Sequence, residues 1–403
     1  MISSELIAFF YNAASIQRWN DYPRLVELTE LDKQAHKFII AFFLASREEN
    51  INQINLIEAG IFEFLRRVIV TDIRPNVYRR VISEKKKEIN EWFLQKFKPF
   101  VSDEFFTKIE TYFADETTYL NERKLLAAAH YLATRYEFNI VYQSGGFLSD
   151  MEDLRRSVES EIANFSHYKG AVEIGLNGDL SKIVDLCGRL RFQIRWSQTP
   201  RLPKTSVLGH ELIVALFSYF YSTAVNACEK RLVNNFYCAL FHDLPEVLTR
   251  DIISPVKYSV SGLEHIVSNY EAELINTSII PLIPDNTKEY FLYLLGLIHE
   301  GDRYYKNEFK NRIKNEHMTQ TVDDINQFNE NRYDPIDGAA LKACDHLAAF
   351  TEAALSKSYG IRSKELENGF SIKDKYRAPI SGVNFGDIML NFEKYLTISE
   401  ERS

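Results

Sequence analysis

Apolar residues recur at helical spacing along nearly the whole chain, and this pattern limits the fold more than any other feature of the sequence. Around Phe38 and Phe43, and again from Leu212 to Val225, they form a broad apolar helical face. No alternation of apolar and polar residues persists long enough to require a sheet. With 16 Gly and 11 Pro among 403 residues, the chain favours long helices joined by short connections. We predict an all-α fold.

A pattern near the start of the chain returns in its second half. Segment 18–25 reads RWNDYPRL and segment 195–202 reads RWSQTPRL, and each is followed by a helix that contains a histidine, His36 in the first and His210 in the second. Ordered self-similarity of this kind indicates a duplicated structural unit. We predict two tandem helical bundles, at 1–165 and 180–403. Two further matches in the same order are 70–73 with 249–252, and 129–132 with 345–348.

The second repeat contains extra residues. From Asp72 to Ala129 is 57 positions, whereas from Asp251 to Asp345 is 94. The additional residues fall around 300–338, which is rich in Asn, Asp, Lys and Tyr. This polar insertion is either a lid over a site or a surface excursion.

Charge and cysteine content exclude several classes of protein. A formal net charge of −8 argues against a nucleic-acid backbone as the main partner, because such proteins carry a basic surplus. The four cysteines form no C-x-x-C pair and lie in apolar segments, as in reduced, intracellular proteins. The start of the chain lacks the pattern of a signal peptide, and the most apolar run, from Leu212 to Val225, is short for a membrane span. We expect a cytoplasmic protein with no membrane partner.

Four residues of the second repeat have the chemistry of a metal site. His242 and Asp243 are adjacent and follow an apolar stretch, His210 lies far upstream, and Asp345 lies far downstream in another apolar helix. A carboxylate buried among apolar residues costs several kcal/mol unless it is paired or binds a metal. Imidazole nitrogens with carboxylate oxygens suit one divalent ion, and the sequence leaves Mn, Co, Fe, Mg and Zn as candidates.

The residues around the His-Asp pair carry a resemblance to a known family. The segment 242–251 reads HDLPEVLTRD, and Ser-Pro-Val-Lys follows at 254–257. The order H…HD…D resembles that of the HD-domain phosphohydrolases, and the extended motif looks like the branch that contains bacterial 5′-deoxynucleotidases. That branch also has an Arg-Trp pair about fifteen residues before its first metal histidine, where Arg195 and Trp196 stand here.

The resemblance implies a role for each matching residue. Glu246 would handle a proton near the leaving group, and Asp251 would orient or deprotonate the attacking water. Arg195 would clamp the phosphate, Trp196 would pack on the sugar or base, and Lys257 would add a phosphate contact, although a surface ion pair is the simpler interpretation of this lysine. The implied metal ligands are His210, His242, Asp243 and Asp345.

The first repeat departs from this pattern. Aligning Asp72 with Asp251 leaves His36 as the one surviving metal ligand, so this half is predicted to be inactive. Arg18 and Trp19 nevertheless remain. Two interpretations stay open: a degenerate partner that packs as a second subunit would, giving an intramolecular pseudo-dimer or a homo-oligomer, or a nucleotide-sensing site that kept its phosphate clamp.

The predicted activity is removal of the 5′-phosphate from (deoxy)nucleoside monophosphates, which are small-molecule substrates. A metal-activated water would attack the phosphate. One alternative is a phosphodiesterase or triphosphohydrolase that acts on a larger nucleotide. Alarmone hydrolases carry HDxxED, and Val247 stands in place of the second acid of that motif. The alternative of another class is a non-catalytic nucleotide-binding regulator.

Overall fold

Helices form most of the structure, which confirms the predicted all-α class. The structure, a computed structural model, describes residues 2–71, 73–250, 260–300, 303–315 and 318–402. The chain divides into two compact units, Met1–Leu176 and Asn177–Ser403. Among the described residues, no helix combines the length and the apolar character needed to cross a membrane.

The first unit is built of helices around a central pair, α2 and α6. Side-chain caps fix several helix starts: Ser3, Thr29, Asn52 and Ser102 each accept a hydrogen bond from a backbone N–H of the first turn. Every residue of α2 is buried, so this helix is the centre of the unit. The helices are α1 (Ser4–Ser15), α2 (Glu30–Ala45), α3 (Gln53–Val70), α4 (Pro75–Phe97), α5 (Asp103–Ala114), α6 (Leu120–Gly145), α7 (Met151–Ser160) and α8 (Lys169–Gly175).

The second unit has the same kind of centre, in which α10 packs against α11 and α15. Nearly all of α10 is buried, which the continuous apolar run from Leu212 onward explains. The helices are α9 (Asp179–Gly188), α10 (Val207–Ala224), α11 (Glu229–Phe241), α12 (Glu246–Thr249), α13 (Leu263–Leu274), α14 (Asp285–Leu294), α15 (Gly338–Ser358), α16 (Lys364–Phe370) and α17 (Phe385–Arg402).

The polar insertion folds into two small antiparallel hairpins, which helical spacing did not predict. One hairpin pairs β1 (Leu297–Glu300) with β2 (Arg303–Lys306), and the other pairs β3 (Arg312–Asn315) with β4 (Met318–Thr321). Each strand has only four residues, too few for an alternation to stand out in the sequence.

Buried ion pairs and hydrogen bonds anchor this insertion to the helices. The guanidinium of Arg312 is buried and donates to the carbonyl oxygens of Tyr293 and Leu294 at 3.1 and 3.0 Å. Arg231 on α11 makes two bonds of 2.8 Å to the carboxylate of Asp337, at the end of the insertion. Paired, buried charges of this kind hold a segment in one place. The insertion is therefore a packed part of the second unit.

The Arg-Trp turns of the two units have the same backbone hydrogen bonds. The N–H of Arg18 donates to the carbonyl of Leu28 at 2.7 Å, and the N–H of Arg195 donates to the carbonyl of Thr205 at 3.0 Å. Isolated bridges join residue 17 to 29 and residue 194 to 206. Trp19 and Trp196 both have positive φ, at 56° and 57°. In each of these matches, the second residue follows the first by 177 positions.

This register corrects the predicted alignment of the histidines. The same offset of 177 positions relates Lys33 to His210. In the first turn of its helix, the backbone N–H of each donates to the carbonyl oxygen of the capping residue, Thr29 or Ser206. The correspondence of His36 with His210 is therefore wrong. A helix that is buried on all sides is apolar at most positions, so a slip of three residues preserves the sequence match.

The alignment of Ala129 with Asp345 is also shifted, by one residue. The indole N–H of Trp19 donates to Glu137 at 3.0 Å, and the indole of Trp196 donates to Glu352 at 2.8 Å. When the two glutamates are aligned, His130 and not Ala129 becomes the equivalent of Asp345. Whether the first unit descends from the same HD-type bundle stays a prediction.

Candidate metal centre

His210 is presented by the first turns of α10. Ser206 caps this helix by accepting from the N–H of Gly209 at 2.9 Å. The His210 side chain is fully buried, and neither ring nitrogen makes a hydrogen bond of good geometry among the described residues. Its Nε2 nevertheless lies 3.2 Å from Oδ1 of Asp345 and 3.7 Å from Oδ2 of Asp243. A buried, unsatisfied imidazole beside two carboxylates is typical of a ligand position.

The His242-Asp243 pair lies where α11 ends. Nδ1 of His242 is 2.7 Å from the carbonyl oxygen of Ala239, which can only accept, so Nδ1 carries the proton. In the neutral ring the lone pair is then on Nε2, which lies 3.3 Å from Oδ2 of Asp243 and lacks a well-oriented hydrogen bond among the described residues. A backbone carbonyl that fixes the tautomer of a histidine is the usual support of a metal ligand.

These side chains converge to the separation expected of ligands to one ion. The candidate ligand atoms of His210, His242 and Asp243 all lie within 4.8 Å of one another, and Asp345 approaches the group through His210. Two atoms bound at about 2.1 Å and at right angles are about 3.0 Å apart, close to the observed 3.2 to 3.7 Å. Two nitrogens and two carboxylates fit a divalent cation with open positions for water.

The electrostatics keep the two carboxylates ionised, as metal binding requires. Burial opposes ionisation, but His242 and His210 hold the pKa of Asp243 far below its usual range. For Asp345, burial is again outweighed, by Lys342 and His210, and its pKa is lowered as well. Burial and the nearby Arg195 lower the pKa of His210, which favours the neutral ring that binds metals.

Arg195 lies beside this centre. Its Nη1 is 3.5 Å from Oδ2 of Asp243, and its Nε is 3.5 Å from Oε2 of Glu352. Because Glu352 is fully buried and also accepts from Trp196 and from Thr205, at 2.8 and 2.6 Å, it fixes the whole Arg-Trp turn. The guanidinium is thus held at the edge of the metal centre, where it can meet a phosphate.

Trp196 is held by packing as well as by its N–H. A methyl group built on Gly369 of α16 would come within 2.5 Å of the far edge of the indole, so the ring lies directly against that glycine. The side chain is partly exposed. A ring fixed on one side and open on another can stack on a flat ligand, as predicted for a sugar or base.

Three further residues were predicted to take part in the reaction: Glu246, Asp251 and Lys257. Glu246 opens α12, one turn after Asp243, and is buried, with its N–H bonded to the carbonyl of Asp243 at 2.9 Å. Asp251 and Lys257 lie outside the described residues, so their catalytic and phosphate-binding roles remain predictions.

Sequence reasoning missed two lysines and a glutamate at this centre. Lys306 of β2, whose side chain is 6% exposed, donates to the carbonyl oxygen of His242 at 3.1 Å and forms an ion pair of 3.0 Å with Glu308. Lys342, one turn before Asp345 on α15, lies 3.3 Å from its carboxylate. Glu352 is the third. A correct register would have revealed Glu352 through its counterpart Glu137, but no local motif marks the lysines.

The fold and the site together define a class: a helical domain in which two histidines and two carboxylates from three separate segments form a candidate metal centre next to an arginine. Comparison with known proteins agrees with this class. Residues 187–373 match the family model described as the HD domain. This part of the chain therefore matches the HD-domain family, and it resembles the metal-dependent phosphohydrolases of that family, in particular the 5′-deoxynucleotidase branch.

The curated relatives belong to that branch but cover a limited part of the chain. A 5′-deoxynucleotidase of Cronobacter sakazakii is 28% identical over 129 residues, and one of Citrobacter koseri is 28% identical over 131 residues. Each match covers 31% of this chain and 62% of the relative. The chain thus spans less than two thirds of the length of the relatives that it matches, and their activity is a proposal for this protein.

Proposed function

We propose that the second unit removes the 5′-phosphate of (deoxy)nucleoside monophosphates. The observation that carries the proposal is the convergence of His210, His242 and Asp243, with Asp345 3.2 Å from His210 and Arg195 3.5 Å from Asp243. A metal centre and a phosphate clamp in contact provide the two groups that hydrolysis of a phosphomonoester needs most. The resemblance to 5′-deoxynucleotidases supports the choice of substrate.

The residues of the chain divide the work of the reaction. A divalent ion held by His210, His242, Asp243 and Asp345 would lower the pKa of a bound water toward neutrality. Arg195 neutralises charge on the phosphate oxygens, because its planar donor pair matches them.

Two carboxylates complete the proposal. Glu246 is buried beside the centre and supplies a proton to the sugar oxygen that leaves when the P–O bond breaks, as the resemblance implies. Asp251 orients the water.

Turnover of a nucleotide panel tests the proposal. Phosphate release is measured for nucleoside and deoxynucleoside 5′-monophosphates, triphosphates and a cyclic nucleotide, each with Mn²⁺, Co²⁺ or Mg²⁺. We expect release from the monophosphates, and its loss in Asp243→Asn protein that remains folded. An exposed acid of the same unit, replaced in Asp185→Asn, serves as the control that keeps activity. Hydrolysis of only the larger nucleotides would replace the proposed substrate, and no hydrolysis of any nucleotide would favour a binding regulator.

A further inference from the structure

The first unit contains a second cluster of ionisable residues, at the position that the metal centre occupies in the second unit. Nζ of Lys33 on α2 lies within 3.0 and 2.8 Å of the two ring nitrogens of His130 on α6. By the register of the hydrogen bonds, these residues stand where His210 and Asp345 meet at 3.2 Å. A lysine–histidine pair has thus replaced a histidine–aspartate pair. The lysine places an amine of the protein itself where the second unit has a candidate metal ligand.

The Arg-Trp turn beside this pair is intact. Arg18 bonds to Glu30 and Glu137 at 2.7 and 2.8 Å, and Arg67 of α3 lies 3.2 Å from the same oxygen of Glu30. Lys33 makes the third cation of the group. With Lys33 protonated, three cations face two carboxylates, and among the described residues no ion pair joins Lys33 to an acid. With Lys33 protonated, the group therefore has one more positive than negative charge, which one bound anion would balance.

Two residues of the group are open to solvent. Lys33 is buried, with 1% of its surface exposed, but the side chain of its partner His130 is exposed, and Arg67 is partly so. Burial and the neighbouring Arg18 lower the pKa of Lys33 well below its usual range. A bound anion favours the charged form of such an amine, so Lys33 would take up a proton as the anion binds.

We propose that the first unit binds a phosphate monoester at Lys33, Arg18 and His130, without metal and without hydrolysing it. An ammonium and a guanidinium side by side suit a phosphate, which accepts from both. Among the described residues of the first unit, Lys33 and His130 stand where the second unit has His210 and Asp345, so the histidine–aspartate pair proposed to hold the catalytic ion is missing at this place. The site is a binding site for phosphorylated small molecules, separate from the metal centre.

The test uses the full chain after treatment with a chelator, and it carries Arg195→Met to disable the phosphate clamp of the second unit. Binding of inorganic phosphate and of deoxyadenosine 5′-monophosphate is measured by calorimetry. We expect saturable binding to this protein, and a loss of at least about tenfold in affinity when Lys33→Met is added. Lys37→Met is the matched control: Lys37 is buried one turn further along α2 but is already paired with Glu63 at 2.5 Å, so affinity should not change.

A third variant keeps the test decisive if the loss of Lys33 disturbs folding. His130→Glu changes an exposed residue and places a carboxylate against Lys33, which should abolish binding of both probes while the fold is retained. Tighter binding of the nucleotide than of inorganic phosphate would indicate that the sugar or base is also recognised. The proposal is overturned by the absence of binding at millimolar concentration in the Arg195→Met protein. It is equally overturned by unchanged affinity in folded Lys33→Met or His130→Glu protein.

Discussion

Replacing Glu352 by Gln should destabilise the second unit strongly and in a pH-dependent manner. The carboxylate is fully buried, accepts from Trp196 and Thr205, and lies near Arg195 and Arg201, at 3.5 and 3.9 Å. Burial raises the pKa of Glu352, but Arg201 and Arg195 outweigh it and lower this pKa from 4.5 to about 2. Since one pKa unit corresponds to about 1.4 kcal/mol, the charge contributes about 3 kcal/mol to the free energy of unfolding at pH 7.

The sign of the pH dependence follows from the lowered pKa. The stabilisation is fully present above the unfolded-state pKa near 4.5 and is lost as the pH falls toward 2. At pH 3 about half of it should remain. For a unit of this size, about 3 kcal/mol corresponds to a drop of about 6–12 °C in melting temperature.

Calorimetric melting of wild-type and Glu352→Gln protein at several pH values measures this difference. Glu365→Gln, at an exposed position of the same unit, is the control and should melt like the wild type. The reasoning is refuted if Glu352→Gln melts within the error of the wild type at pH 7. It is also refuted if the difference between the two proteins does not shrink between pH 5 and pH 3.

Three further predictions concern the metal centre and its surroundings. Lys306→Met removes the hydrogen bond to the carbonyl of His242, so the affinity for metal should fall by about tenfold or more. Competition with a chelating dye measures this affinity, and an unchanged value would show that Lys306 does not position His242. Gly369→Ala forces the indole of Trp196 to move, so the KM for nucleoside monophosphates should rise while kcat changes little; an unchanged KM would argue against a substrate contact by Trp196. Saturating Mn²⁺ should raise the melting temperature of the wild type, because the ion binds the folded site and not the unfolded chain. It should not raise that of Asp243→Asn protein, and an equal rise in both proteins would place the ion elsewhere.

The helical class and the candidate ligands could be predicted from the sequence, because both depend on local signals. Helical spacing is a property of each segment, and the His242-Asp243 pair stands in a motif with Glu246 and Asp251. The structure places His210, His242 and Asp243 in one cluster, with Asp345 next to His210.

What the sequence could not reveal depends on contacts between distant segments. Lys306 reaches the carbonyl of His242 from a hairpin 64 positions away, and the sequence of a four-residue strand does not predict this contact. The register of the repeat was wrong by three residues at His36, because a fully buried helix matches its counterpart in several frames. Backbone hydrogen bonds remove that ambiguity, and the register that they define places Lys33 and His130 at the positions of His210 and Asp345.

Metal content is the measurement that tests the account most directly. Wild-type protein loaded with Mn²⁺ and freed of excess ion should contain one divalent ion per chain by elemental analysis, and His210→Gln protein should contain almost none. Lys33→Met protein should match the wild type, because the first unit is predicted to bind no metal. An ion retained in His210→Gln protein, or a second ion per chain that Lys33→Met alters, would contradict a single metal centre in the second unit.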